Sequence, residues 1–164
     1  VTTPSAPGNN ASGPGDAALS GRLENGAHRF WVRVYYEDTD AGGIVYHAAY
    51  LHFAERGRTE ALRLCGFEQT ELRERTGIIL PVRAISLDYR RPCRLDELLE
   101  VRTTIAQRSR TSLRLHQAIG PSGEAEPRVA VDVRVVAVNA EGRPTRIPEV
   151  IAERLLTALP PAES

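Results

Sequence analysis

Residues 31–66 read WVRVYYEDTDAGGIVYHAAYLHFAERGRTEALRLCG, and a change of rhythm inside this stretch decides the fold. From Trp31 to Tyr36, the residues Val32, Val34 and Tyr36 alternate with Arg33 and Tyr35, the period-two pattern of a half-buried strand. Ala41-Gly42-Gly43 supplies a turn. From His47 to Cys65 the period becomes helical: Tyr50, Leu51, Phe53, Ala54, Gly57, Ala61, Leu62, Leu64 and Cys65 make a wide apolar stripe. Arg56, Arg58, Thr59, Glu60 and Arg63 form its polar side, and Gly66 stands where a helix stops. At about 1.5 Å per residue this predicts a helix of roughly 30 Å.

Beyond the helix the pattern turns mostly to strands. A short second helix is expected from Glu68 to Glu74. Alternation then recurs over Ile79–Tyr89, Leu99–Ile105, Leu113–Ile119 and Val129–Val135, the last being a run of four valines at every second position. Ser109-Arg110 and Gly120-Pro121-Ser122-Gly123 mark tight connections, and short connections require antiparallel neighbours. Pro148 introduces a last amphipathic segment, Glu149–Leu156. The expected class is therefore α+β: one domain over residues 28–158, an antiparallel sheet of about five strands wrapped around one long helix. Residues 1–27, rich in Pro, Gly, Ser, Asn and Ala, are expected to be a disordered arm, and residues 159–164 a flexible tail. A single sheet of this size leaves a face and its edges uncovered, which points to a homodimer or homotetramer.

Composition removes several function classes. Net charge is zero, with 21 basic and 21 acidic side chains, so no nucleic-acid footprint is present. Every basic residue is Arg; without Lys there is no Schiff-base chemistry and no phosphate-loop lysine. Cys65 and Cys93 stand far apart with no CxxC pairing, which suits a reduced setting with both as small buried hydrophobes. No apolar run approaches the roughly 20 residues of a membrane span, and no signal peptide is recognisable, so a cytoplasmic location is expected.

The densest polar cluster falls between the first strand and the long helix: Glu37, Asp38, Asp40 and His47, bracketed by Tyr35, Tyr36 and Tyr46. A carboxylate on the turn entering a helix faces unpaired N–H groups and the positive end of the helix dipole. The same N–H groups can polarise a substrate carbonyl while the carboxylate attacks it or deprotonates a water. Gly42 and Gly43 allow close backbone approach. Equally, Asp38 or Asp40 could simply form turns, as Asp commonly does. His52 and Glu55, three apart on one helical face, lack a third ligand at suitable spacing, so no metal site is expected. His116 reads as a surface or interface residue, and Ser122 lies in no nucleophile elbow.

The run from Arg33 to Leu51 resembles the signature of the Tol-Pal-associated (YbgC-like) acyl-CoA thioesterases, close relatives of the 4-hydroxybenzoyl-CoA thioesterase family of the hotdog superfamily. The likeness continues through Phe53–Glu60, Leu87–Pro92 and Arg143–Pro148, and spans about residues 29–155. It implies a hotdog fold and hydrolysis of acyl-CoA, short-chain or aromatic, to free acid and CoA, with no cofactor. It also implies Asp40 as the catalytic carboxylate, His47 and Tyr36 as further active-site residues, and Gly43 and Tyr46 against the substrate. Arg108 and Arg110 flank a hairpin whose basic counterpart contacts CoA phosphates in relatives. Acyl carrier protein is an implied possible partner. Where the family commonly reads His-Ala-Asn-Tyr, this chain has His47-Ala48-Ala49-Tyr50. Two other readings remain open: a non-catalytic acyl-CoA or acyl-carrier-protein binding module, and a hotdog enoyl-CoA hydratase. The second is disfavoured because six residues, not three, lie between Asp40 and His47.

Overall fold

A computed structural model describes residues 19–161 of the chain. Within them six strands form one antiparallel sheet: β1 (Arg22–Glu24), β2 (Ala27–Arg33), β3 (Val82–Tyr89), β4 (Leu98–Arg108), β5 (Ser112–Pro121) and β6 (Val129–Val136). Their spatial order is β1-β2-β4-β5-β6-β3, so β1 and β3 are the two edges. Three helices accompany the sheet: α1 (Ala49–Leu64), α2 (Gln69–Thr76) and α3 (Glu149–Ala158). The sheet wraps around α1, which is the α+β hotdog arrangement expected from the sequence.

The strand alternation sorts the side chains as the pattern predicts. Leu99, Val101 and Ile105 of β4, Leu115 and Ile119 of β5, and Val129, Val131, Val133 and Val135 of β6 all line one buried face. Against it α1 turns Tyr50, Phe53, Ala54, Ala61 and Leu62. Gly57 sets how closely helix and sheet approach, because a Cβ there would stand 2.8 Å from Cγ1 of Val101. A buried polar stitch fixes the helix at the same level. Gln117 of β5, fully buried, donates from Nε2 to the Ala54 carbonyl and to Oγ1 of Thr103, both at 2.9 Å. Its Oε1 accepts from Arg58 at 2.8 Å, so every strong bonding group of that amide is used.

Several expectations need correction. There are six strands rather than about five, because β1 lies inside the stretch assigned to the disordered arm. Asn25 and Gly26 both have positive φ (51° and 71°) and join β1 to β2 as a two-residue hairpin of the Asn-Gly kind, a signal hidden in a polar context. Residues 1–18 of that arm lie outside the described residues. Leu159, assigned to the flexible tail, is 1% exposed and belongs to the core; residues 162–164 lie outside the described residues. The first long strand ends at Arg33, short of the expected Tyr36, because the Asp38 carboxylate takes the Tyr35 N–H and turns the chain into a single 3-10 turn, Tyr36–Asp38. Arg58, read as part of the polar side of α1, has a side chain only 9% exposed.

Candidate active site

The segment between β2 and α1 is held in place by a ladder of backbone hydrogen bonds, supplemented by a few from side chains. Thr39 and Val45 bridge antiparallel, Ile44 bridges to Arg94, and the Val45 N–H donates to the Cys93 carbonyl at 2.8 Å. Inside this narrow loop Asp40 begins a tight turn, its carbonyl accepting from the Gly43 N–H at 3.0 Å. Its carboxylate accepts through Oδ1 from the Gly42 N–H at 2.8 Å. The two glycines serve different ends. A Cβ on Gly42 would sit 3.0 Å from that carboxylate oxygen, whereas Gly43 has open space around it and is required by its φ of +73°. Oδ2 of Asp40 has no hydrogen-bond partner among the described residues, and the side chain is exposed. Asp38 is spent differently: its Oδ2 accepts from the Tyr35 N–H at 2.9 Å, which caps the 3-10 turn.

The helix begins two residues later than expected, at Ala49, leaving His47 and Ala48 as a turn in front of it. The Tyr46 N–H is taken by the Asp38 carbonyl at 2.7 Å and the Ala49 N–H by the Tyr46 carbonyl at 2.8 Å. Between them, the N–H groups of His47 and Ala48 have no protein acceptor among the described residues. Two free donors ahead of a sixteen-residue helix, at its positive end, are a ready cradle for an oxygen carrying negative charge. The His47 ring lies 4.3 Å from the Tyr46 ring, and both side chains are exposed. Tyr36 stands on the 3-10 turn, 82% exposed, and makes no hydrogen bond through its hydroxyl among the described residues. Ala49, where the family commonly has Asn, is buried and adds only a methyl group to the core.

Two tyrosines that the sequence reading did not single out anchor this segment. The Tyr89 hydroxyl donates to the His47 carbonyl at 3.0 Å, tying the turn to the far end of β3. The Tyr50 hydroxyl, buried in the core, accepts from the Cys93 N–H at 3.1 Å. Burial pushes the Tyr50 phenol well above its ordinary value, so it stays a neutral hydroxyl at every physiological pH. Burial likewise raises the thiols of Cys93 and Cys65, making both poor nucleophiles. Below them Arg128 clamps the loop before β4: it donates to the Pro92 carbonyl at 3.0 Å and pairs with Glu97 at 3.0 Å and Glu124 at 2.6 Å. Only the apolar-to-tyrosine spacing of Tyr50 and the alternation of Tyr89 in β3 hinted at these positions.

The basic hairpin is not beside this turn in the same chain. The Asp40 loop adjoins the start of β4, through the Val34 N–H bond to the Glu97 carbonyl, whereas Arg108 closes the same strand eleven residues on. At about 3.3 Å per residue the two ends lie roughly 33 Å apart. Arg108 donates to both oxygens of Glu149 in the first turn of α3, at 3.2 and 3.3 Å, while Arg110 is exposed at the hairpin tip. Glu55, considered with His52 as a ligand pair, is instead bridged to Arg58.

The thioesterase-like superfamily matches over residues 34–155, most of the chain, and the protein belongs to that superfamily. Among curated relatives, the acyl-CoA thioester hydrolase YbgC of Escherichia coli is 44% identical over 128 residues, covering 76% of this chain and 93% of the relative. The acyl-CoA thioesterase YbgC of Haemophilus influenzae is 52% identical over 85 residues, covering 52% of this chain and 62% of its own length. A probable thioesterase of Bartonella henselae superposes with a TM-score of 0.70 at 38% identity, covering 74% of this chain and 99% of that one.

Proposed function

We propose that the protein hydrolyses acyl-CoA thioesters to free acid and CoA, with Asp40 as the reacting carboxylate. The observation that carries this is the pairing of an exposed, half-free carboxylate with two unengaged N–H groups at the entry to α1. Family membership and the YbgC relatives support the reaction class. In this reading the thioester carbonyl oxygen accepts from the N–H of His47 or Ala48, where charge builds up as the carbonyl becomes tetrahedral. Oδ2 of Asp40 either takes a proton from the attacking water or bonds to the carbonyl carbon itself. The C–S bond then breaks and the CoA sulfur takes up a proton, the one Asp40 removed from water in the first case or one from solvent in the second. In the second case a water then cleaves the acyl–Asp40 anhydride to release the acid. The Tyr46 and Tyr36 rings and Gly43 border the approach, and the His47 side chain orients water or the leaving sulfur.

Arg108 and Arg110 enter this reading only through a second copy of the chain. Tyr89 ends β3 beside His47, and Val82 begins it opposite Val135, next to the hairpin. Antiparallel pairing of β3 with its twin across a two-fold axis would therefore bring the hairpin of one copy to the Asp40 turn of the other. The exposed Val82, Ile85 and Tyr89 on that edge fit such a contact. We take the working unit to be at least a homodimer in the cytoplasm, with acyl carrier protein as an alternative carrier of the acyl group.

Asp40→Asn tests the assignment. Thiol release from acyl-CoA is expected to drop by about 100-fold or more with the fold intact. Survival within about tenfold would remove Asp40 from the chemistry.

A further inference from the structure

A cavity of about 350 Å³ opens between the second half of α1, α2 and the start of β3. It shares no lining residue with the Asp40 turn of its own chain. Leu62, Leu72, Leu113, Leu115, Leu155 and Leu159 supply most of its inner wall, and Ile79 and Val82 frame its mouth at the exposed edge. No aromatic ring lines it. Polar side chains are the minority of the wall: Arg58, bonded to Gln117 and Glu55, and Thr103, accepting from Gln117, lie within it, while Gln69, Thr70 and Arg73 of α2 stand at the rim. What the deeper wall offers a ligand is therefore mostly branched aliphatic surface.

We propose that this cavity is the acyl chamber, and that it selects an aliphatic chain of medium length. This rests on the hydrolase reading and on the β3 pairing above. Under that pairing the mouth at Val82 of one copy faces the Asp40 turn of its twin, so the carbonyl reacts on one copy while the chain lies in the other. A cavity of 150 Å³ lined by similar side chains holds benzene, so more than twice that volume suits roughly eight to twelve carbons. An aryl group would leave more than half of the chamber unfilled.

Thiol release measured across saturated acyl-CoAs from acetyl to palmitoyl, together with benzoyl-CoA, tests the chamber. Decanoyl-CoA is expected to exceed acetyl- and benzoyl-CoA in kcat/KM by about tenfold or more. A maximum at acetyl, butyryl or benzoyl would overturn the inference while leaving the hydrolase reading intact; no release from any substrate would sink both. Val135→Phe fills the floor, and Thr70→Trp, on the exposed face of α2 at the rim, is a second filling that leaves the core untouched. Each is expected to cost decanoyl-CoA about tenfold more than butyryl-CoA, and an equal loss at both lengths would count against the chamber. Mixing Asp40→Asn with Val135→Phe separates the copies. A shared site leaves one of the two sites in each mixed dimer wild-type, so a 1:1 statistical mixture regains about a quarter of wild-type decanoyl turnover, and no recovery would refute the seating across two copies.

Discussion

The two edges of the sheet are built on opposite principles. β1 is three residues long, and its charges are spoken for: Arg22 and Arg29 both pair with Glu24, at 3.4 and 3.1 Å, and Arg22 also lies over the Trp31 ring. A short, charged edge discourages a further strand from joining. β3 is eight residues long and leaves Val82, Ile85 and Tyr89 between 37% and 48% exposed. One edge is closed by its own side chains; the other is left open beside the turn that carries Asp40. The difference bears on the proposed assembly. A short, charged edge resists a further strand, whereas a long edge with exposed apolar side chains is open to pairing with one.

The strongest way to break that comparison is to put the same charge on both edges. If β3 pairs with its twin as proposed, Ile85→Lys is expected to halve the mass seen in sedimentation and to lower hydrolysis by about 100-fold, because each site would then draw on both copies. Leu23→Lys, on β1, should change neither. An Ile85→Lys protein that stays associated and active would end the claim that β3 is the joining edge.

A smaller effect is expected at the hairpin. Arg110, exposed and free of the Glu149 pairing that holds Arg108, should contribute to KM for acyl-CoA and little to kcat. An exposed charge contact is worth up to about 1 kcal/mol, so Arg110→Ala should raise KM by about three- to fivefold, and the increase should shrink in high salt. A matching change with an acyl-pantetheine substrate, which has no nucleotide phosphates, would show that Arg110 acts otherwise.

Much of this was written in the pattern of apolar residues. The valines at 129, 131, 133 and 135 and the stripe of α1 announced a sheet wrapped on a helix, because period and burial are local properties of the chain. Glycines 42 and 43 marked the turn for the same reason. What stayed hidden was set by long-range partners. Tyr89 supports His47 across 42 positions, and Gln117 reaches Ala54 across 63; neither residue carries a local signal for its role. Arg58 looked like surface because charge usually is, and its bonds to Gln117 and Glu55 account for its burial. That the basic hairpin lies at one end of β4 and the Asp40 carboxylate near the other is a property of strand order, and a linear sequence does not display strand order.

The closed edge offers the mildest test. His28 of β2 is fully buried, and its Nε2 bonds the Ser20 carbonyl at 2.7 Å. Ser20 in turn donates from its hydroxyl to Glu60 of α1 at 2.5 Å, so the segment leading into β1 is tied to the core through this histidine. Burial holds the imidazole below its ordinary value of 6.5, outweighing the opposite pull of the Ser20 carbonyl and of Glu60, itself paired with Arg63. Below that value the unfolded chain therefore binds more protons at this position than the folded one, and stability falls as pH drops through the window under 6.5. Above the window His28 is neutral in both states and adds no slope. Thermal melts between about pH 7.5 and 5 should show a declining Tm, and His28→Gln, which keeps a donor but cannot titrate, should flatten the decline. Hydrogen exchange should localise the loss: the amides of Arg22–Glu24 should open first on acidification, before any amide of β3. If His28→Gln keeps the full slope, the titrating group lies elsewhere, and the β1 edge is held by its surface charges alone.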